Sequence, residues 1–92
     1  MRPRKLRRIA FEPQARFFKP QGIPMRFLEI VDLKDEELEA MRLKNIDNLD
    51  QNEAASRMNI SQSTFQRVLS SGYRKVAEAL VLGKAIKIHK ES

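Results

Sequence analysis

Two helix starts stand eleven residues apart, at Asp50 and Ser61, and that spacing restricts the fold more than any other feature of the chain. In "LDQNEAASRMNISQSTFQRVLSSGYRKVAEAL", Asp50 followed by Glu53 is a capping box. The Asp carboxylate accepts from the backbone N–H of residue 53, and the Glu side chain reaches back to the cap. A helix therefore begins at Gln51. It is short, because Asn59 follows and asparagine is one of the few non-glycine residues that tolerate a left-handed backbone. Ser61 is a good N-cap for the next helix, and Ile60 before it can staple onto Phe65. The chain must reverse within residues 59–61.

Helices joined this tightly cross steeply. The crossing needs a small residue beneath it, which Ala55 supplies with Ala54 beside it, and a turn residue of positive φ, which is Asn59. Ile60, Phe65 and Val68 fill it. Counted from Gln51, these fall at the first, fifth, ninth, tenth, fifteenth and eighteenth places of a helix-turn-helix. An ordinary helical hairpin uses the same caps, and the exposed side of the second helix separates the two cases. Ser61, Gln62, Ser63, Gln66, Arg67 and Ser70 lie away from Phe65, Val68 and Leu69, and none is acidic. Hydroxyl, amide and guanidinium groups are the ones that meet base edges and phosphates. Gln62, Ser63, Gln66 and Arg67 are the expected base readers; Ser61, Ser70, Arg74 and Lys75 are the expected phosphate contacts.

Apolar residues at helical spacing carry the second helix to about residue 82, where Gly83 suits a C′ position. Gly72 inside it costs about 1 kcal/mol relative to Ala unless another helix packs close there. The candidate neighbour is a helix over about residues 35–46. Asp35, Glu36 and Glu37 crowd its first turn, where the helix dipole favours carboxylates. Leu38, Met41, Leu43 and Ile46 form its apolar arc, and Glu39 and Arg42 are spaced to pair. Residues 1–30 hold all four prolines (Pro3, Pro13, Pro20, Pro24) and Gly22, which excludes a long helix. "LRRIAF" and "ARFFK" can each be a short strand, as can "KAIKIH" after Gly83, with "LRRIAF" as the expected partner of the last. The expected architecture is mostly α: a three-helix helix-turn-helix domain over 31–83, a Pro-rich basic N-terminal arm over 1–30, and a small β element with a tail or strand over 84–92. The expected helices run over about 35–46, 51–58 and 62–82.

Charge is distributed unevenly. Residues 1–26 hold eight Lys or Arg against Glu12 alone; residues 27–53 hold nine Asp or Glu against three Lys or Arg; residues 54–92 are basic again, and the net charge is +6. The arm's Arg2, Arg4, Lys5, Arg7 and Arg8 can lie in a minor groove or follow phosphates, or serve as a solubilising tail. With 41% apolar residues and six aromatics, the composition is that of a folded chain. There are no cysteines, hence no disulfide and no thiolate metal site. No apolar run reaches the length of a membrane span, and the basic start lacks a signal's apolar stretch, so a cytoplasmic location without membrane contact is expected. His89 is the only histidine, and no Gly-rich phosphate loop, nucleophile signature or metal cluster is present. The expectation is a chain that is not an enzyme and carries no cofactor and no metal.

The order "RPRKLRRIAF", "FFKPQGIP", "ELEAMRL", "QNEAASRMNISQSTFQRVL", "KVAEALVLGKAIKI" resembles a family of small, functionally uncharacterised prokaryotic proteins predicted to bind DNA. The central part of that family is similar to the region-four helix-turn-helix of sigma factors. The resemblance covers nearly the whole chain. Its most specific pieces are Phe18-Lys19-Pro20 with Gly22 and Pro24, and the run from Glu37-Leu38-Glu39-Ala40 to Leu43. It implies a three-helix domain with residues 61 to about 82 as recognition helix, and a role in transcription. Lys34 stands where the family usually has a Ser or Thr cap, and Asp50 replaces a usual Ser while still capping. The cysteine that some relatives carry in the N-terminal segment is missing. The expected function is sequence-specific binding of double-stranded DNA by a transcriptional regulator. A homodimer fits, since one such unit covers only a half-site; RNA polymerase or another regulator is a further expected partner. The alternatives are RNA binding through the arm, and a protein-interaction adaptor built on the same scaffold.

Overall fold

Local chemistry at the helix ends sets the framework. The computed structural model describes residues 12–90, with β1 at Phe17–Phe18, β2 at Ile30–Lys34, α1 at Asp35–Met41, α2 at Gln51–Met58, α3 at Gln62–Leu82 and β3 at Ala85–His89. The chain is therefore mostly helical, with a small three-stranded sheet. The Asp50 carboxylate accepts from the amide of Glu53 at 2.8 Å, and the Ser61 hydroxyl oxygen accepts from the amide of Thr64 at 3.1 Å. Each cap satisfies an amide that the first helical turn leaves without a partner. Asn59, at φ 61°, and Gly83, at φ 69°, end α2 and α3 in the left-handed region. Beyond them, Ile60 N–H donates to Ala55 O at 3.1 Å and Lys84 N–H to Ala79 O at 2.9 Å. Both helices thus stop in the Schellman arrangement, which uses carbonyls that would otherwise be orphaned.

The first helical segment covers the expected residues 35–46 but changes character along its length. It is α-helical over Asp35–Met41 and continues as a π-helix over Arg42–Ile46, where Asp47 N–H donates to Arg42 O at 2.9 Å. Arg42 is held on both sides of this wider turn, 2.9 Å from Glu39 and 2.9 Å from Asp47. The Glu39–Arg42 pair is the one the sequence spacing predicts.

The sheet has the order β1-β3-β2. β3 runs antiparallel to β1, with Phe17 opposite Lys87, and parallel to β2, from Ile30 opposite Ala85 to Lys34 opposite His89. A parallel pair needs a long crossover, and here the three helices are that crossover. Two expectations change. The last strand pairs with Phe17–Phe18 and Ile30–Lys34, whereas "LRRIAF", its expected partner, lies outside the described residues. β2 itself was not expected, and it begins at Ile30, the final residue assigned to the arm. Its alternation places Val31 and Leu33 inward, beside Ala85 and Ile88 of β3. The helical core gathers Ala40, Leu43, Ala54, Ala55, Met58, Phe65, Val68 and Leu69, with Ile60 of the turn packed against it.

One buried carboxylate ties these layers together. Glu37, 3% exposed, accepts from Lys34 N–H at 2.9 Å, from the Ser71 hydroxyl at 2.6 Å and from the Lys75 ammonium at 3.0 Å. It therefore joins the end of β2, the first turn of α1 and the middle of α3. The helices come this close because α3 carries Gly72 there: a Cβ at that position would sit 3.1 Å from Glu37 Cβ. At the other end of α3, the Lys84 ammonium lies 2.6 Å from Glu78 and 2.9 Å from Glu29, which anchors the start of β3. Among the described residues, no helix is long and apolar enough to cross a membrane.

Burial pushes the Glu37 carboxyl up, but the bonds from the Lys34 amide, Ser71 and Lys75 outweigh it and hold the group below its ordinary value. The stabilisation from a depressed carboxylate is complete above the unfolded value and is lost as pH falls through the folded one. Glu37→Gln should cost about 2 kcal/mol at neutral pH, and its difference from the parent should shrink as pH falls below about 4. Urea denaturation at pH 7 and pH 3 measures this; an equal difference at both would contradict the role assigned to the charge.

Candidate nucleic-acid interface

The turn between α2 and α3 brings both helix N-termini to one side of the molecule. Gln51 and Gln62 are the first helical residues after the caps Asp50 and Ser61. The left-handed Asn59 lets the chain turn back at once, and Ala54, Ala55 and Met58 of α2 and Phe65, Val68 and Leu69 of α3 close the angle between the helices. By helical periodicity, Ser63, Arg67, Ser70 and Arg74 fall opposite that buried side. Ser61, Gln62, Ser63, Gln66, Arg67, Ser70 and Arg74 are all exposed. From residue 61 to residue 77 the chain contains no Asp or Glu, so this face has hydrogen-bonding groups and guanidinium charge without an opposing carboxylate of its own.

The hydroxyls at the start of α3 form a local group. The Ser61 hydroxyl lies 2.9 Å from Thr64 Oγ1 and 3.3 Å from Ser63 Oγ, and the Arg67 guanidinium reaches Thr64 Oγ1 at 3.5 Å. Arg67 makes no ion pair with a described residue. Beside this group runs a chain of amides that sequence spacing alone does not reveal. Gln62 Nε2 donates to Gln51 Oε1 at 3.1 Å, Gln51 Nε2 donates to Gln66 Oε1, and Gln66 Nε2 donates to Ser70 Oγ at 3.1 Å. The available signal was a glutamine at the first position of each helix, with a third one turn along α3.

Lys75, one of the expected phosphate contacts, is placed differently from the rest. It lies on the side of α3 that packs against α1, and its ammonium is held by Glu37. Its spacing from Arg74 made the two look equivalent; adjacent residues on a helix point about 100° apart, and only Arg74 faces outward. The arm residues Arg2, Arg4, Lys5, Arg7 and Arg8 lie outside the described residues. At the opposite end of α3, Leu80, Val81 and Leu82 are 75%, 79% and 63% exposed. Polar, hydrogen-bonding side chains thus occupy one end of α3 and an apolar surface the other.

The turn geometry gives a direct test. Asn59→Gly should leave stability unchanged or raised, because glycine adopts φ 61° without a Cβ penalty. Asn59→Ala should lower it by about 1 kcal/mol. Thermal denaturation of both variants measures this, and equal losses would show that the left-handed backbone is not what Asn59 provides.

Comparison with known proteins places the chain in a family. The chain matches, over residues 1–91, the model of the family described as protein of unknown function DUF134, and it belongs to that family. It is 53% identical over 87 residues to a UPF0251 protein of Desulforudis audaxviator, covering 95% of this chain and 57% of that one. A UPF0251 protein of Halothermothrix orenii is 49% identical over 86 residues, covering 94% and 64% respectively. A third, from Dehalococcoides mccartyi, is 53% identical over 87 residues, covering 95% and 74%. The chain thus spans less than two thirds of the length of the first two relatives. No solved structure matches it.

Proposed function

We propose, taking membership of the DUF134 family as premise, that the chain is a sequence-specific DNA-binding protein and a transcriptional regulator. In this proposal α2, the turn at Asn59 and α3 form a helix-turn-helix like that of sigma-factor region four, and α3 lies in the major groove. The observation that carries it is the outward face of α3 from Ser61 to Arg74, which is polar, cationic at Arg67 and Arg74, and free of acidic residues. A helix face that only needs solvation gains nothing from excluding carboxylates, whereas a face set against phosphates does.

Gln62, Ser63, Gln66 and Arg67 contact base edges; Ser61, Ser70 and Arg74 contact phosphates. Lys75 belongs to the scaffold, because moving its ammonium to a phosphate would leave the buried Glu37 carboxylate without its cation. The basic residues 2–8 add contacts along the backbone or in the adjacent minor groove. A second function, docking on a protein such as RNA polymerase or another regulator, is favoured by one observation, the exposed Leu80, Val81 and Leu82.

Fluorescence anisotropy of the full chain against duplex DNA and an RNA hairpin, across salt concentrations, separates these readings. Duplex binding with a steep salt dependence is expected, weakened when residues 1–8 are removed. Arg67→Ala should cost about 1–3 kcal/mol on a selected site and relax specificity there. Absence of duplex binding at low salt would overturn the regulator function and leave the protein-docking one; a preference for the hairpin that survives Arg67→Ala would favour RNA.

A further inference from the structure

The amide chain across the turn has a consequence for which bases α3 accepts. A glutamine amide has two N–H donors and an oxygen with two acceptor sites. Gln62 uses one N–H on Gln51; Gln66 uses one N–H on Ser70 and one acceptor site on Gln51. Each therefore keeps at least one donor and at least one acceptor, and each is prevented from presenting both N–H groups outward. In the major groove adenine offers an acceptor at N7 and a donor at N6, whereas guanine offers two acceptors, N7 and O6. What the two amides retain is the complement of adenine and a poor match to guanine.

We infer that Gln51, at the start of α2, is a positioning residue that makes Gln62 and Gln66 a paired adenine reader. This rests on the DNA-binding function proposed above. Gln51 sits between the two side chains, accepts from one and donates to the other, and so sets both amide orientations together. Without it the Gln62 amide can rotate, present its second N–H or reverse its polarity, the Gln66 amide is held through Ser70 alone, and the discrimination against guanine falls. Four residues of helix separate Gln62 from Gln66, about 6 Å along its axis, which matches roughly two base-pair steps of about 3.4 Å. The bound half-site should then hold two A·T pairs at neighbouring or next-neighbouring steps.

Site selection from random duplexes with the full chain tests this, with Gln62→Ala and Gln66→Ala locating the position each amide contacts. The parent should select A·T at both positions. In Gln51→Ala the affinity ratio of A·T over G·C duplexes at those positions should fall about tenfold; the ratio cancels any uniform loss of affinity. Gln51→Glu supplies a second, independent variant. Its carboxylate still accepts from Gln62 but cannot donate to Gln66, so the ratio should fall only at the position that Gln66 contacts. An unchanged ratio in both variants, or G·C selected at either position, would overturn the inference while leaving DNA binding intact. Failure of the parent to enrich any sequence would overturn the DNA-binding function and this inference together.

Discussion

The rest of the molecule depends on how closely α3 approaches α1, and that approach is set at Glu37. A carboxylate excluded from water is costly unless its acceptor sites are filled, and here the Lys34 amide, Ser71 and Lys75 fill them. These donors lie on two elements, Lys34 on β2 and Ser71 and Lys75 on α3, while the carboxylate belongs to α1, so satisfying one buried charge also fixes the end of β2, α1 and α3 with respect to each other. Gly72 is the steric counterpart. A side chain there would meet Glu37 Cβ at 3.1 Å, so the conformational freedom that glycine brings to a helix interior is offset by the contact it allows. The direction in which α3 presents its polar face follows from this junction and from the turn at Asn59.

Much of the framework was legible because it is decided within a few residues. Asp50 and Ser61 cap, and Asn59 and Gly83 terminate, through hydrogen bonds that span one helical turn. Gly72 and the Glu39–Arg42 pair were likewise readable from helical spacing. What escaped was non-local. β2 is five residues long and runs straight into the acidic start of α1, so its alternation was hidden, and its partner lies beyond all three helices. The π-helical end of α1 reflects Arg42 bridging Glu39 and Asp47, a three-way contact that spacing rules do not encode. Lys75 could be told from Arg74 only once Glu37 was known to face it. In the candidate site the composition of the exposed face was evident, whereas the part of Gln51 depends on the angle at which α2 crosses α3.

The proposed division of labour along α3 has a simple geometric basis. Twenty-one residues make a helix of roughly 30 Å, longer than a major groove can engage. Its first turns carry the amides, hydroxyls and Arg67, its middle is clamped to α1, and its last turns pass the sheet and leave Leu80, Val81 and Leu82 exposed. The relatives extend beyond the matched region; the chain covers 57% of the length of the one from Desulforudis audaxviator.

That α3 meets DNA through its N-terminal outward face can be checked by mapping backbone amide shifts in nuclear magnetic resonance spectra as duplex DNA is added. The largest changes should fall at Gln51 and between residues 61 and 74. Changes confined to residues 80–82 and the sheet, with residues 61–74 unmoved at a saturating duplex concentration, would contradict it.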